Sequence, residues 1–183
     1  MAEIKDEQLV ESFTESGEIR HFDELVSRHI GKVRAMIYPI VLNDADADDL
    51  TQEVFLRVVN NISRFRNRAR FSTWLHRIAL NTTYSFLKKR KRSPMDQRED
   101  LAEHPCNTTA PDRSLIAEET DSQVTEALAS LSPSLRAAIT LTAIHGMSTK
   151  EAAQTSDCLR ATMYWRVHEA RRILKTKLNL EVT

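Results

Sequence analysis

The chain has 183 residues, of which 41% are hydrophobic and only 6% aromatic, with three glycines and five prolines. This composition argues against a disordered or all-β protein and favours a helix-rich globular one. Its 26 basic and 26 acidic residues give a formal net charge of zero, which by itself offers no support for nucleic-acid binding.

Three further features bound the protein class. The acidic start is unlike a signal peptide, and no apolar run approaches the roughly 20 residues that a membrane helix requires. We therefore expect a cytoplasmic protein with no membrane insertion of its own. The two cysteines, Cys106 and Cys158, have no second ligand at metal-binding spacing, which predicts free thiols, no metal site and no cofactor.

The charges are strongly segregated along the chain. Residues 1–60 hold 13 acidic and 6 basic residues, whereas residues 61–92 hold 10 basic residues and no acidic one. Residues 93–121 return to 8 acidic and 2 basic residues. A basic stretch of this length is typical of a surface that binds a polyanion, whatever the total charge.

The first half of the chain predicts three amphipathic helices. Apolar residues recur at intervals of three and four between Phe22 and Ile37 and again between Leu50 and Ile62. A third helix is predicted from about Ser72 to Arg90. The aspartates between residues 44 and 49 precede the second helix, where carboxylates cap free amides and suit the positive end of the helix dipole.

A linker is predicted after the basic stretch. From Ser93-Pro94 to about Ala117 the chain holds three prolines, several acids and no apolar periodicity. We therefore divide the chain into a domain at 1–92, a flexible acidic linker at 93–117 and a second domain at 118–183. The predicted fold is all-α, with two small helical domains.

The second domain carries clear helix boundaries. Ser132-Pro133 fits the start of one helix and Gly146 its left-handed stop. The run Ser148 to Glu151 matches a capping box, which predicts a short helix ending near Ser156. A longer helix follows a tight turn, and this order predicts a helix-turn-helix. Its apolar face comprises Met163, Val167, Ala170, Leu174 and Leu178.

The segment from Arg64 to Arg77 interleaves cations with aromatic rings. Cations neutralise phosphates, and a ring on which an unstacked base rests contributes about 1 to 3 kcal/mol, so this mixture predicts single-stranded nucleic acid as the ligand. The alternative is that Phe65, Phe71 and Trp74 are core residues and the arginines a solvated face. The basic run Lys88 to Arg92 extends the same predicted helix.

These segments resemble a known family. The run from Asp46 to Val58, followed by Phe71-Ser72-Thr73-Trp74-Leu75-His76-Arg77-Ile78-Ala79-Leu80-Asn81, is similar to the polymerase-binding and strand-melting segments of extracytoplasmic-function sigma factors of the sigma-70 family. The stretch from Leu131 to Leu178 is similar to the domain of that family that reads the minus-35 element. The resemblance implies a sigma-2-like bundle and a sigma-4-like helix-turn-helix.

The resemblance implies roles for three groups of residues. It implies docking on the polymerase through Asp48, Asp49, Gln52, Glu53, Leu56 and Arg57. It implies contacts with the melted minus-10 element from Arg66, Asn67, Arg68, Phe71, Trp74, Arg77, Asn81, Lys88 and Arg90. It implies minus-35 contacts from Lys150, Arg160, Thr162, Tyr164, Trp165, Arg166, His168, Arg171 and Arg172.

The family also implies the partners. These are the core polymerase, through the clamp helices of its largest subunit and its flap, promoter DNA, and an anti-sigma factor. The implied role is to carry the polymerase to promoters and assist strand opening, without enzymatic activity. The alternative is a stand-alone helix-turn-helix regulator of duplex DNA, which leaves the cationic aromatic segment unexplained.

The recognition helix departs from the family pattern. Where a small, polar run is usual, this chain has two bulky rings, Tyr164 and Trp165, and Glu169 stands where a cation is frequent. The rings either contact DNA or pack in the core, and the sequence leaves both open. Glu169 either accepts a hydrogen bond from a cytosine amino group or repels a phosphate.

Overall fold

The computed structural model describes residues 4–67, 69–92 and 123–178, and in these ranges it contains helices and no strand. The N-terminal domain comprises α1 (Asp6–Ser16), α2 (Ile19–Val41), α3 (Asp44–Asn61), a 3-10 turn (Ile62–Arg64) and α4 (Phe71–Arg90). The C-terminal domain comprises α5 (123–129), α6 (Pro133–Ile139) with a π turn (Thr140–Ile144), α7 (Thr149–Thr155) and α8 (Arg160–Lys177). The all-α, two-domain prediction is confirmed, whereas the predicted linker lies outside the described residues.

Helix α1 was not predicted from the sequence, because the apolar periodicity used for the prediction begins only at Phe22. Leu9 and Val10 are buried, and the ring of Phe13 lies 5.4 Å from that of Phe22. Gly17, with a φ of 70°, ends the helix in the left-handed conformation that glycine adopts without strain. The helix is therefore held on α2 by a short apolar stripe.

The start of α3 corrects one detail of the prediction. The side chain of Asn43, not an aspartate, caps the helix by accepting a hydrogen bond from the Asp46 N–H at 2.9 Å. The aspartates bind arginines instead. Arg34 on α2 contacts both Asp44 and Asp48 at 2.6 Å, so these carboxylates tie α2 to α3.

The core of the N-terminal domain is aliphatic, as the predicted helix faces require. Leu25 and Ile37 on α2 and Val54 on α3 are fully buried, and Leu75 and Leu80 are buried on α4. Burying each such side chain stabilises the fold by about 1.5 to 3 kcal/mol relative to leaving it exposed. The packing fixes the outward faces of α3 and α4.

The C-terminal domain has the predicted helix-turn-helix. Ser148 and Glu151 form the capping box, with the Ser148 N–H donating to the Glu151 carboxylate at 2.9 Å and the Glu151 N–H donating to Ser148 Oγ at 3.2 Å. Gly146, at a φ of 63°, precedes it. On α8, Met163 and Val167 face the core.

The two domains pack against each other. Helix α6 and its π turn lie on α2, and α7 lies on α4. Leu141 and Met163 join the same apolar cluster as the N-terminal core. A smaller cluster around Leu131, Leu135 and Ile139 belongs to the C-terminal domain alone.

Candidate polymerase and DNA interface

The outer face of α3 brings together the residues predicted to bind the polymerase. Residues 49, 52, 53, 56 and 57 recur at helical spacing, so they share one side of the helix. Leu56 is 63% exposed, an unusual position for a large apolar side chain in the middle of a charged face. Arg57 bonds to Glu53 at 2.6 Å, and Asp48 lies at the edge of the face, bound to Arg34.

An aromatic cluster lies under the loop that joins the 3-10 turn to α4. The ring centroids of Phe65, Phe71 and Trp74 lie 5.4 to 5.9 Å from one another. Phe71 is fully buried, whereas Phe65 and Trp74 are partly exposed. The expectation that Phe71 contacts a base directly is corrected, because no face of a buried ring is open to a ligand.

The loop itself presents cations to solvent. Arg66 and Arg70 are exposed on either side of it. Asn67 adopts a φ of 52°, a left-handed conformation that asparagine tolerates better than most residues. Arg68 lies outside the described residues.

The predicted DNA contacts on α4 differ in whether another part of the chain binds them. Asn81 and Lys88 are exposed, while Arg90 bonds to Asp46 of α3 at 3.0 Å. Arg77 Nη2 donates a hydrogen bond to the backbone carbonyl of Gln154 at 2.6 Å. One of the predicted DNA contacts is therefore occupied by the chain's own C-terminal domain.

The first turn of α1 supplies functional candidates that the sequence prediction missed. Glu7 Oε1 accepts a hydrogen bond from the Phe71 N–H at 2.9 Å, at the free amino end of α4. Asp6 bonds to Arg28 at 3.2 Å and to His29 at 2.7 Å, and the His29 ring lies 5.5 Å from Phe71. The carboxylates of Asp6 and Glu7 thus join α1 to α2 and to the first residue of α4. The available signal was their place in the acidic first turn, ahead of Leu9 and Val10.

The outer face of α8 carries the predicted minus-35 residues. Tyr164 and Trp165 are 67% and 60% exposed, so the structure answers the open question about these rings: they do not pack in the core. Glu169 bonds to Arg172 at 2.7 Å, and this hydrogen bond holds the pKa of the Glu169 carboxyl below its usual range. The other exposed candidates are Lys150, Arg160, His168 and Arg171, and the partly buried ones are Thr162 and Arg166.

The remaining structural features concern metal ligands, membrane spans and the cysteines. Among the residues that the structure describes, no group of three or more His, Cys, Asp or Glu side chains is placed to hold a metal ion. No helix within the described ranges is both long and apolar enough to cross a membrane. Cys158 is a partly buried free thiol, and Cys106 lies outside the described residues.

Family models match both halves of the chain. Residues 25–93 match sigma-70 region 2, and residues 121–174 match sigma-70 region 4. The chain is 30% identical to the ECF RNA polymerase sigma-E factor of Haemophilus influenzae, over 97% of this chain and 98% of that protein. It is 31% identical to the RNA polymerase sigma-H factor of Pseudomonas aeruginosa, over 97% of this chain and 96% of that protein.

A solved structure of a sigma factor also has the fold of this chain. The sigma factor RpoE of Bartonella quintana, determined in complex with the anti-sigma factor NepR, matches with a TM-score of 0.69 and 26% identity, over 88% of this chain and 98% of that one. Matches to both region models support the sigma-factor interpretation and not the stand-alone regulator. Members of this family are regulatory subunits of the polymerase. The chain therefore belongs to the sigma-70 family of RNA polymerase sigma factors, in its extracytoplasmic-function branch, and directs core polymerase to promoters.

Proposed function

We propose that this sigma factor divides its work among three surfaces. The outer face of α3 docks on the polymerase, the loop before α4 together with α4 holds the melted minus-10 strand, and α8 reads the minus-35 duplex. The protein works in the cytoplasm, where the polymerase is, and catalyses no reaction of its own. The observation that carries the proposal is the exposed loop on its aromatic support, which follows α3 and the 3-10 turn in the chain.

The α3 face has the composition of a protein-binding surface. Interface energy concentrates in a few large side chains that lose water on binding, while surrounding charges steer association. Leu56 is the apolar side chain at the centre of this face, and Glu53 and Arg57 form an ion pair beside it. We assign polymerase docking to this face, with Leu56 as its main anchor.

The loop and α4 have the chemistry for single-stranded DNA. Arg66 and Arg70 are exposed cations that can contact phosphates, and Trp74 offers part of its ring to an unstacked base. Phe71 supports the loop from the core. A base that leaves the duplex loses its stacking, and a ring that receives it returns part of that energy.

The α8 surface suits duplex DNA. The first turns of a recognition helix enter the major groove, where side chains reach base edges. Tyr164 and Trp165 are exposed in the first two turns, and an aromatic ring can pack on a thymine methyl group. Arg171, farther along the helix, is an exposed candidate for a phosphate contact.

We also propose an anti-sigma partner. The structure of the Bartonella quintana sigma factor, which matches 88% of this chain, was determined in complex with an anti-sigma factor. An exposed apolar residue such as Leu56, needed only when the polymerase is present, is a surface that such a partner would cover. Native purification of the tagged chain should recover a stoichiometric inhibitor of transcription, and its absence would count against this part of the proposal.

Reconstituted transcription tests polymerase docking. Run-off transcription from genomic fragments should require both core polymerase and this protein. Leu56→Arg should abolish the product and lower the affinity for core enzyme at least tenfold, because a docking anchor becomes a desolvated charge. Ile19→Arg is the matched control, since Ile19 on α2 is 61% exposed, against 63% for Leu56. Equal activity of the two variants would remove docking from the α3 face.

A second variant tests strand opening. Trp74→Ala should allow the holoenzyme to form closed complexes but reduce permanganate reactivity of thymines in the minus-10 region, because an unstacked base loses its ring. Trp74→Phe keeps a face for stacking and should retain most of the opening. If Trp74→Ala merely unfolds the N-terminal domain, as measured by circular dichroism, the ring is a core residue and this assignment fails.

A further inference from the structure

The C-terminal domain contacts one side of α4, through α7. Residues 70, 77 and 84 are seven positions apart, so they lie on the same side of the helix, two turns from one another. Arg77 donates a hydrogen bond to the Gln154 carbonyl. Hydrogen bonds with Ser148 are the main cause that lowers the pKa of the Glu151 carboxyl on α7, and the positive charge of Arg70 lowers it further. Tyr84 is largely buried, which raises the pKa of its hydroxyl, and Arg166 of α8 opposes that rise. The contacted side includes Arg77, which is exposed and is assigned to melted DNA, yet its guanidinium is hydrogen-bonded to the C-terminal domain.

The packed arrangement is too small to contact both promoter elements. Elements at minus 10 and minus 35 are roughly 25 base pairs apart, or about 85 Å of duplex at 3.4 Å per base pair. A compact body of this length has a radius of gyration of about 16 Å and is about 40 Å across. The 30 residues between the described domains can reach at most about 100 Å when extended. The domains must therefore separate for promoter binding, and the chain is long enough to permit it.

A histidine pair lies at the contact between the domains. The ring of His76, on α4, lies 5.5 Å from the ring of His145, which follows the π turn of the C-terminal domain. His76 is only 7% exposed. Neither of its ring nitrogens, nor Nε2 of His145, has a hydrogen-bond partner among the described residues.

The surroundings of this pair disfavour a proton. Burial is the main cause that lowers the pKa of His76, to about 4, and the positive charges of His145, His29 and Lys32 lower it further. Burial also lowers the pKa of His145. His29 and Lys32 are on α2, whereas Arg77, next to His76 on α4, points to Gln154. No carboxylate is among the groups acting on His76, so a proton arriving there has no anionic partner.

We propose that in the free protein the C-terminal domain competes with melted DNA for this face of α4, and that protonation of the His76–His145 pair releases the domain. This inference rests on the proposed role of α4. The closed state binds fewer protons than the open state between about pH 4 and pH 6.5. Closure is therefore fully favoured above pH 6.5 and weakens as the pH falls. If separation returns His76 to its ordinary pKa of about 6.5, protonation of His76 alone lowers the closure constant about tenfold at pH 5.5.

Small-angle X-ray scattering of the full-length protein without polymerase tests the proposal. The radius of gyration should rise from pH 7.5 to pH 5.5, towards the increase of roughly a third that complete separation of two domains of these sizes gives. His76→Phe combined with His145→Phe keeps two apolar rings but removes the titration, so this variant should stay compact at both pH values. His21→Phe is the control, because His21 pairs with Glu18 outside the contact and the variant should expand like the wild type.

Three results would overturn the proposal. They are a wild type that stays compact at pH 5.5, a double variant that expands equally, and an expansion accompanied by loss of helical circular dichroism. Transcription with core polymerase is measured separately at pH 7.5. A wild type that cannot initiate there refutes the proposed function, whereas the scattering results decide only the histidine contact.

Discussion

Two regions of this sigma factor combine cations with aromatic rings, and they use the rings in opposite ways. At the start of α4, Phe71 is fully buried, and Phe65 and Trp74 pack around it. At the start of α8, Tyr164 and Trp165 are largely exposed. The first set of rings shapes a loop from below, and the second set forms a surface.

The neighbours of each ring explain the difference. Phe71 is at the first position of α4, its ring lies 5.5 Å from His29 of α2 and 5.8 Å from Phe65, and it belongs to the main apolar core. On α8 the core positions are taken by Met163 and Val167. Tyr164 and Trp165 fall one and two positions after Met163, about 100° and 200° around the helix, and so point away from it. Position relative to the apolar stripe, not ring type, decides the role.

The largest expected effect comes from removing a supporting ring. Phe71→Ala should lower the free energy of unfolding by about 3 to 5 kcal/mol, because a fully buried ring leaves a cavity. Denaturant unfolding followed by circular dichroism measures this loss. Trp165→Ala is the matched control from the other region and should change stability by no more than about 0.5 kcal/mol. If the two variants lost equal amounts of unfolding free energy, the distinction between rings that support a loop and rings that form a surface would be wrong.

A smaller effect is expected for DNA binding from the exposed rings. Tyr164→Ala and Trp165→Ala should each weaken holoenzyme binding to minus-35 duplex by about 1 to 3 kcal/mol, the range of a good base contact. Fluorescence anisotropy with labelled duplex, at a fixed salt concentration, gives the affinities. Thr176→Ala, an exposed change near the other end of α8, should leave them unchanged. If all three variants bind alike, the rings are not base contacts.

The sequence predicted most of this arrangement because its main determinants are local. Helical spacing from Phe22 to Ile62 and the capping box at Ser148 depend on residues within a few positions of one another, and the structure confirms both. The burial of Phe71 could not be predicted in this way, because it involves distant parts of the chain. Its N–H, for example, bonds to Glu7 on α1, which is 64 residues away in the sequence. The packing of α7 on α4 likewise joins segments 77 residues apart, as between Arg77 and Gln154. Side-chain burial and domain contacts are set by such distant partners.

The smallest expected effect comes from Glu7, which is assigned to holding the supporting rings in place and not to binding DNA. Its carboxylate accepts the Phe71 N–H at 2.9 Å, and an accepting side chain at a helix start contributes about 1 kcal/mol. Glu7→Ala should cost that amount in unfolding and loosen the loop between the 3-10 turn and α4. Polymerase affinity should be unchanged, while the rate of strand opening falls.

The control variants separate positioning from general stability. Glu7→Gln keeps an oxygen acceptor at the same place and should restore most of the opening rate. Glu11→Ala removes a carboxylate that is exposed one turn farther along α1 and should leave opening unaffected. Stopped-flow fluorescence of a labelled minus-10 strand measures the rate. An opening rate that is normal in Glu7→Ala would mean that the rings alone hold the loop, whereas equal loss in the Gln variant would mean that charge, not hydrogen bonding, is what α1 contributes.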